Sequence, residues 1–187
     1  MPKPCPAALL IIDVINHFAF EGGDRLARNA AHMLAPILRI SRRARAANLP
    51  VIYCNDNFGQ WRSDFRATFE ACADPGTPGG RFVTRLQPAP TDYFVLKPKH
   101  SAFFSTPLQL VLDDLGARRI VLVGLATDGC VLATAMDAHM RGYEVAVVRE
   151  ATAAQSEARK RRALDLIRTT TPVRVIGARA ALRWLNA

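Results

Sequence analysis

The sequence predicts an α/β fold: a three-layer α/β/α, Rossmann-like domain on a six-stranded parallel sheet of order 3-2-1-4-5-6. Three observations predict it. Short apolar runs alternate with amphipathic helical segments along the whole chain, which is the pattern of parallel strands covered by helices on both faces. The first run, Ala7 to Ile12, is continuously apolar and ends in Asp13, as suits a strand buried on both faces. Its 187 residues suit one domain over residues 1–187, with no internal repeat and no linker.

The elements follow in order. Asp24 opens a helical pattern running to about Asn48, with Leu26, Ala30, Met33, Leu34, Ile37 and Leu38 at helical spacing. Pro36 inside it predicts a kink or a split. Pro50 to Cys54 reads as strand two. Residues 55 to about 90 are rich in Asn, Asp, Gly and Pro, with one short helix expected over Ser63–Cys72. So long an irregular stretch in a compact domain points to function. Tyr93–Leu96 is strand three, and Thr106–Gly116 a helix closed by glycine. Arg119–Val123 is strand four, and Asp128–Arg141 a helix with Cys130 in its first turn. Glu144–Val148 is strand five, followed by a helix near Gln155–Thr170. Val173–Ile176 is strand six, and a short last helix holds Leu182 and Trp184.

Composition narrows the function classes. The net charge is +9, and lysine supplies only four of the 25 basic residues. The arginines lie along helices (39, 42, 43 and 45; 159, 161, 162 and 168). Without interleaved aromatics or zinc-finger spacing they read as solvated helix faces, and nucleic acid is not an expected partner. No apolar stretch has transmembrane length, and no signal peptide is evident, so neither a membrane nor export is expected. Cysteines 5, 54, 72 and 130 lack Cys-x-x-Cys spacing, which fits free thiols and a cytoplasmic location.

Three residues stand at strand ends: Asp13, Lys97 and, just past strand four, Cys130. In an open α/β sheet the ligand crevice lies outside the carboxyl ends of the strands, where the order reverses. Strands one and four are neighbours there, so Asp13 and Cys130 are expected to face each other. A thiol at a helix N-terminus is favoured as thiolate, and the free N–H groups beside it can hold an oxyanion. A carboxylate beside it can take the thiol proton and return it to a leaving amine. A lysine in an arginine-rich chain can serve as a compact buried charge. Among the histidines, His100, His17 and His139 could pair with Cys130, but none ends a strand, and no Cys–His pair is expected. Asn55, Asp56 and Asn57 follow strand two with no histidine beside them, which makes a poor divalent-metal site. Asp56, Asn57 and Trp61 are expected to line the pocket instead. There is no Gly-rich phosphate loop, so neither a metal nor a cofactor is expected.

Three motifs carry a resemblance. They are Leu10-Ile11-Ile12-Asp13 with Asn16 and Phe18; Lys97-Pro98 with Ser101-Ala102-Phe103-Phe104 and Thr106; and Gly124 to Val131. Over about residues 7 to 176 the chain resembles the isochorismatase-like cysteine hydrolases, which include nicotinamidases and N-carbamoylsarcosine amidase. The resemblance implies an Asp13–Lys97–Cys130 triad. It also implies a cis peptide at Leu125–Ala126 that would aim the Ala126 N–H, with that of Cys130, at the oxyanion. Phe18 and Leu125 join the expected pocket, and a homo-oligomer is expected. The implied activity is hydrolysis of a C–N bond in a small amide, carbamoyl compound or ureide through a thioester. A metal-dependent nicotinamidase and a non-catalytic binding protein are the alternatives. Three departures are visible: Ile15 stands where Gln is common, His17 where an acid is frequent, and His100 where Arg or Tyr is common. The Asp/His metal set of nicotinamidases is missing from residues 55–61.

Overall fold

Residues 5–185 are described by a computed structural model; the ends of the expected domain, residues 1–4 and 186–187, lie outside the described residues. The strands are β1 (Ala7–Ile12), β2 (Val51–Asp56), β3 (Tyr93–Lys97), β4 (Arg119–Leu125), β5 (Glu144–Ala153) and β6 (Arg174–Ile176). They pair in the order β3-β2-β1-β4-β5-β6, every neighbour parallel, as expected. Every residue of β1 is buried, which its position at the centre requires. Side chains alternate between the sheet's faces, so Ala7, Leu9 and Ile11 join one core and Ala8, Leu10 and Ile12 the other.

Helices cover both faces. On one lie α1 (Gly23–Ala30), α2 (Leu34–Ala46) and α8 (Ala178–Leu185), which bury Leu26, Ile37, Ile40, Ala181 and Leu185. On the other lie α5 (Leu108–Asp114), α6 (Leu132–Met140) and α7 (Glu157–Thr170), burying Leu108, Leu112, Ala135, Ala138 and Ile167. Each such Leu or Ile contributes about 1.5–3 kcal/mol.

The long helix expected from Asp24 to Asn48 is split. A 3-10 turn over Ala31–Met33 separates α1 from α2, so Pro36 falls in the first turn of α2, where its missing N–H would have no intrahelical partner. The segment after β2 holds α3 (Phe65–Cys72) and a second helix, α4 (Gly80–Arg85), that the glycine- and proline-rich composition conceals. Asp64 caps α3 by accepting from the Ala67 N–H at 2.8 Å. Strand β5 runs five residues past its expected end, through a register shift against β4 between Leu122 and Gly124.

Gly124 makes the approach of β4 to β1 possible. Its φ is +117°, and a Cβ there would stand 2.0 Å from the Ile12 carbonyl oxygen, one residue before Asp13. Gly124→Ala adds positive-φ strain to a backbone clash. It is expected to cost about 2–5 kcal/mol, read as a lowered denaturant midpoint.

Candidate active site

Register brings the strand ends together. Ile12 lies opposite Gly124 on β4 and Cys54 on β2, and Asp56 lies opposite Lys97 across β2 and β3. The chain leaves β1 at Asp13 with φ at +49°, a conformation that Asp tolerates better than most residues. The Asp13 N–H still donates to the Cys54 carbonyl at 3.0 Å. Asn55, buried in β2, fixes the path of the chain beyond Asp13: its Oδ1 accepts from the Ile15 N–H at 3.1 Å and its Nδ2 donates to the Ile15 carbonyl at 2.9 Å. Asn16 Oδ1 then accepts from the Phe18 N–H at 2.7 Å.

Lys97 is the hub. Its side chain is 0% exposed, so its charge must be met within the protein. Nζ lies 2.9 Å from Asp13 Oδ2, 3.1 Å from the Lys99 carbonyl oxygen and 3.4 Å from Cys130 Sγ. These three contacts match its three donors. Asp56 Oδ2 is a further 3.7 Å neighbour. The second Asp13 oxygen, Oδ1, accepts from the Asp56 N–H at 2.6 Å.

Cys130 sits in a π-type turn, Thr127–Val131, that is broken by a kink at the non-helical Gly129 and leads into α6. This corrects the expectation of an α-helical first turn: the one-residue excess of the turn needs a kink, and glycine supplies it. The Ala126 carbonyl accepts from the N–H groups of Gly129 and Val131 at 3.0 and 3.1 Å, with the Cys130 N–H between them in sequence. The expected cis bond at Leu125–Ala126 is also corrected. All peptide bonds among the described residues are trans, the ordinary form of the planar amide, and Ala126 enters the turn extended at φ −83° and ψ 146°. Asp128 ties the turn to α7 through Arg159, whose guanidinium also holds Gln155 Oε1 at 2.7 Å.

The electrostatics suit proton transfer. Burial raises the Asp13 carboxyl above its ordinary value, against the pull of Lys97. Burial alone would lower Lys97, but the charges of Asp13, Cys130 and Asp56 outweigh it and the ammonium is held protonated. Burial, with the Asp13 charge, pushes the Cys130 thiol up to about 12, Lys97 acting the other way. A resting thiol that resists losing its proton to solvent can still pass it to the adjacent carboxylate, because that transfer leaves the net charge of the cluster unchanged.

The other expected site residues are dispersed. Asp56 is at the triad, its Oδ1 accepting from the Phe58 N–H at 2.6 Å. Asn57 lines a cavity of about 400 Å³ with His17, Phe58, Gln60 and Cys72, beside β2 and not on the triad. Phe18 and Leu125 are buried in the core, and Trp61 is 78% exposed. His139 lines a separate surface cavity with Tyr143 and Trp184. His100, expected to stay apart, brings Nδ1 to 3.6 Å from Cys130 Sγ. Nor does the sequence single out Asn55; an amide at a strand end can bridge backbone donors and acceptors, and that is its only sequence signal. Among the described residues, no three His, Cys, Asp or Glu side chains gather as a metal-ligand group.

The chain is similar to known proteins along most of its length. The Isochorismatase domain model matches residues 7–178. The uncharacterized isochorismatase family protein YaaI of Bacillus subtilis is 38% identical over 150 residues, 80% of this chain and 82% of that protein. The ureidoacrylate amidohydrolase RutB of Rhizobium rhizogenes is 30% identical over 182 residues, covering 80% of this chain and 71% of that one. The crystal structure of N-carbamoylsarcosine amidase from Thermoplasma acidophilum superposes with a TM-score of 0.68 at 26% identity, over 92% of this chain and 96% of the other.

Proposed function

The chain belongs to the isochorismatase family, and on that premise we propose that it is a cysteine hydrolase of small C–N compounds, working as one domain over residues 1–187. The observation that carries the reading is the contact of one buried ammonium with both a carboxylate and a thiol. Names of relatives support the substrate class: an amidohydrolase of a ureido compound and an amidase of a carbamoyl compound.

Asp13 takes the Sγ proton, and the thiolate attacks the carbonyl carbon. The N–H groups of Cys130, inside the turn, and Ala126, just before it, hold the oxygen as it gains charge. The C–N bond breaks, and Asp13 passes its proton to the departing nitrogen. Water then gives a proton to Asp13 and attacks the thioester. The C–S bond breaks, the acid leaves, and the proton returns to Sγ. Throughout, Lys97 stabilises negative charge on whichever of Asp13 and Sγ carries it. Asp56, partly open beside Lys97, is placed to accept an N–H of the substrate. Phe18, Asn57, Trp61 and Leu125 are the further pocket residues of this reading.

A small-molecule substrate fits the family. No helix among the described residues is long and apolar enough to cross a membrane. A cytoplasmic location is the proposal that suits four free thiols. Exposed Phe94, Phe104, Leu110 and Met140 support assembly as a homo-oligomer.

Two experiments test the reading. A screen over small amides, carbamoyl compounds and ureides is expected to find turnover that Cys130→Ala lacks; turnover shared by both proteins would contradict it. The pH profile is the second. Asp13 must be ionised to accept the Sγ proton, so activity falls as pH falls through its titration. That titration is raised from the ordinary 3.8, so the acid limb of kcat/KM is expected above that pH. It belongs to the Asp13–Cys130 pair jointly. A limb at or below 3.8 would exclude Asp13 as the base.

A further inference from the structure

We propose that His100 is a fourth catalytic group, donating its Nδ1–H to the Cys130 sulfur and stabilising the thiolate that attacks. The inference rests on the cysteine-hydrolase reading and extends it. Nδ1 stands 3.6 Å from Sγ, a separation suited to a donor facing the large radius of sulfur.

The backbone shows that this placement is built. His100 lies between two anchored neighbours. Before it, the Lys99 carbonyl accepts from Lys97 Nζ at 3.1 Å. After it, Ser101 Oγ donates to Asp137 Oδ2 at 2.6 Å and accepts from the Phe103 N–H at 3.1 Å, and the Ala102 N–H donates to Thr134 Oγ1 at 3.0 Å. Asp137 and Thr134 belong to α6, the helix that continues from the Cys130 turn. The segment carrying His100 is therefore fastened both to the hub lysine and to the helix that carries the sulfur. Backbone anchored on both sides of His100 limits the positions its ring can take and so the freedom lost when it makes its contact.

The chemistry has room for this donor. Lys97 divides its three N–H groups among Asp13, the Lys99 carbonyl and Sγ, so the thiolate receives only one of them. Moving the thiol proton to Asp13 places a full negative charge on sulfur in a site where burial disfavours it. A second donor lowers the free energy of that arrangement without altering the protonation of the pair as a whole. Lys97 is buried, whereas His100 is exposed, so substitution of His100 removes no part of the core.

The test compares alkylation of Cys130 by iodoacetamide, followed by peptide mass mapping, in wild type, His100→Ala, His100→Asn and Asp13→Asn, with the partly exposed thiol of Cys5 as internal reference. His100→Ala is expected to slow Cys130 by about tenfold, as loss of one charge-assisted hydrogen bond would, with Cys5 unchanged. His100→Asn, whose Nδ2 can reach the same place, is expected to stay within about threefold of wild type. Cys130 alkylated in His100→Ala at the wild-type rate, or slowed equally in His100→Asn and His100→Ala, would overturn the inference. Asp13→Asn separates the two readings: if it leaves Cys130 as reactive as in wild type, the hydrolase mechanism fails and the inference with it. If it slows Cys130 while His100→Ala does not, only the inference fails.

Discussion

Cys130→Ala is expected to abolish turnover, by about 10⁴–10⁶-fold in kcat, while leaving the fold in place. The size of the loss follows from the chemistry. Without Sγ there is no covalent intermediate, and the hydrolysis must proceed by direct attack of water. The N–H groups of the turn and the bound geometry remain, and they account for the residual rate. Stability is expected to change by about 1 kcal/mol or less, because the residue is only half buried and the turn is closed by the Ala126 carbonyl rather than by the side chain. The checks are steady-state rates on a hit from the amide and ureide screen, together with a denaturant melt. A large fall in stability alongside the lost activity would make Cys130 structural.

Lys97→Met has the second largest expected effect, and it reaches both stability and rate. Methionine fills the same channel with an unbranched side chain, but it leaves the Asp13 carboxylate buried without its cation. Removing one partner of a buried pair costs about 3–5 kcal/mol, and for a domain of this size each kcal/mol lowers Tm by about 2–4 °C. A fall in Tm of roughly 6–20 °C is therefore expected. The rate is expected to drop by about 10²–10³-fold, as when a donor to transition-state charge is removed. The double variant Asp13→Asn with Lys97→Met separates the two effects: removing both charges should restore much of the stability and none of the activity. If the single variant were as stable as wild type, the ion pair would not be buried as described.

The strand ends are the most legible part of the chain. Asp13 and Lys97 each terminate an apolar run, and charge at the end of a buried strand is conspicuous because burial is costly for it. Alternation and right-handed crossovers give a parallel, doubly wound sheet; with the order 3-2-1-4-5-6, one of the common ones, Asp13 falls beside Cys130. Other features depend on long-range contact and leave little local trace. Helix α4 begins at Gly79 and Gly80, where composition argues for a loop. Its start is instead fixed by close approach: a Cβ at Gly79 would stand 1.9 Å from the Asn16 carbonyl oxygen. The turn that carries Cys130 depends on how β4 enters α6, which a motif does not encode. His100 is inconspicuous in the sequence because it ends no strand; its approach to sulfur depends on Ser101 and Ala102 fastening to α6, contacts between segments far apart in the chain. Trp61 is legible only as an aromatic near a strand end, which suggests a pocket wall; its side chain is 78% exposed.

The central claim is that Cys130 Sγ becomes acylated. Quenching the protein in acid during turnover of an active amide or ureide, followed by intact mass and peptide mapping, tests it most directly. The account predicts a mass increase equal to the acyl fragment, located on the peptide bearing Cys130, lost on hydroxylamine treatment and absent from Cys130→Ala. Turnover without any adduct on Cys130, sustained in Cys130→Ala, would contradict it.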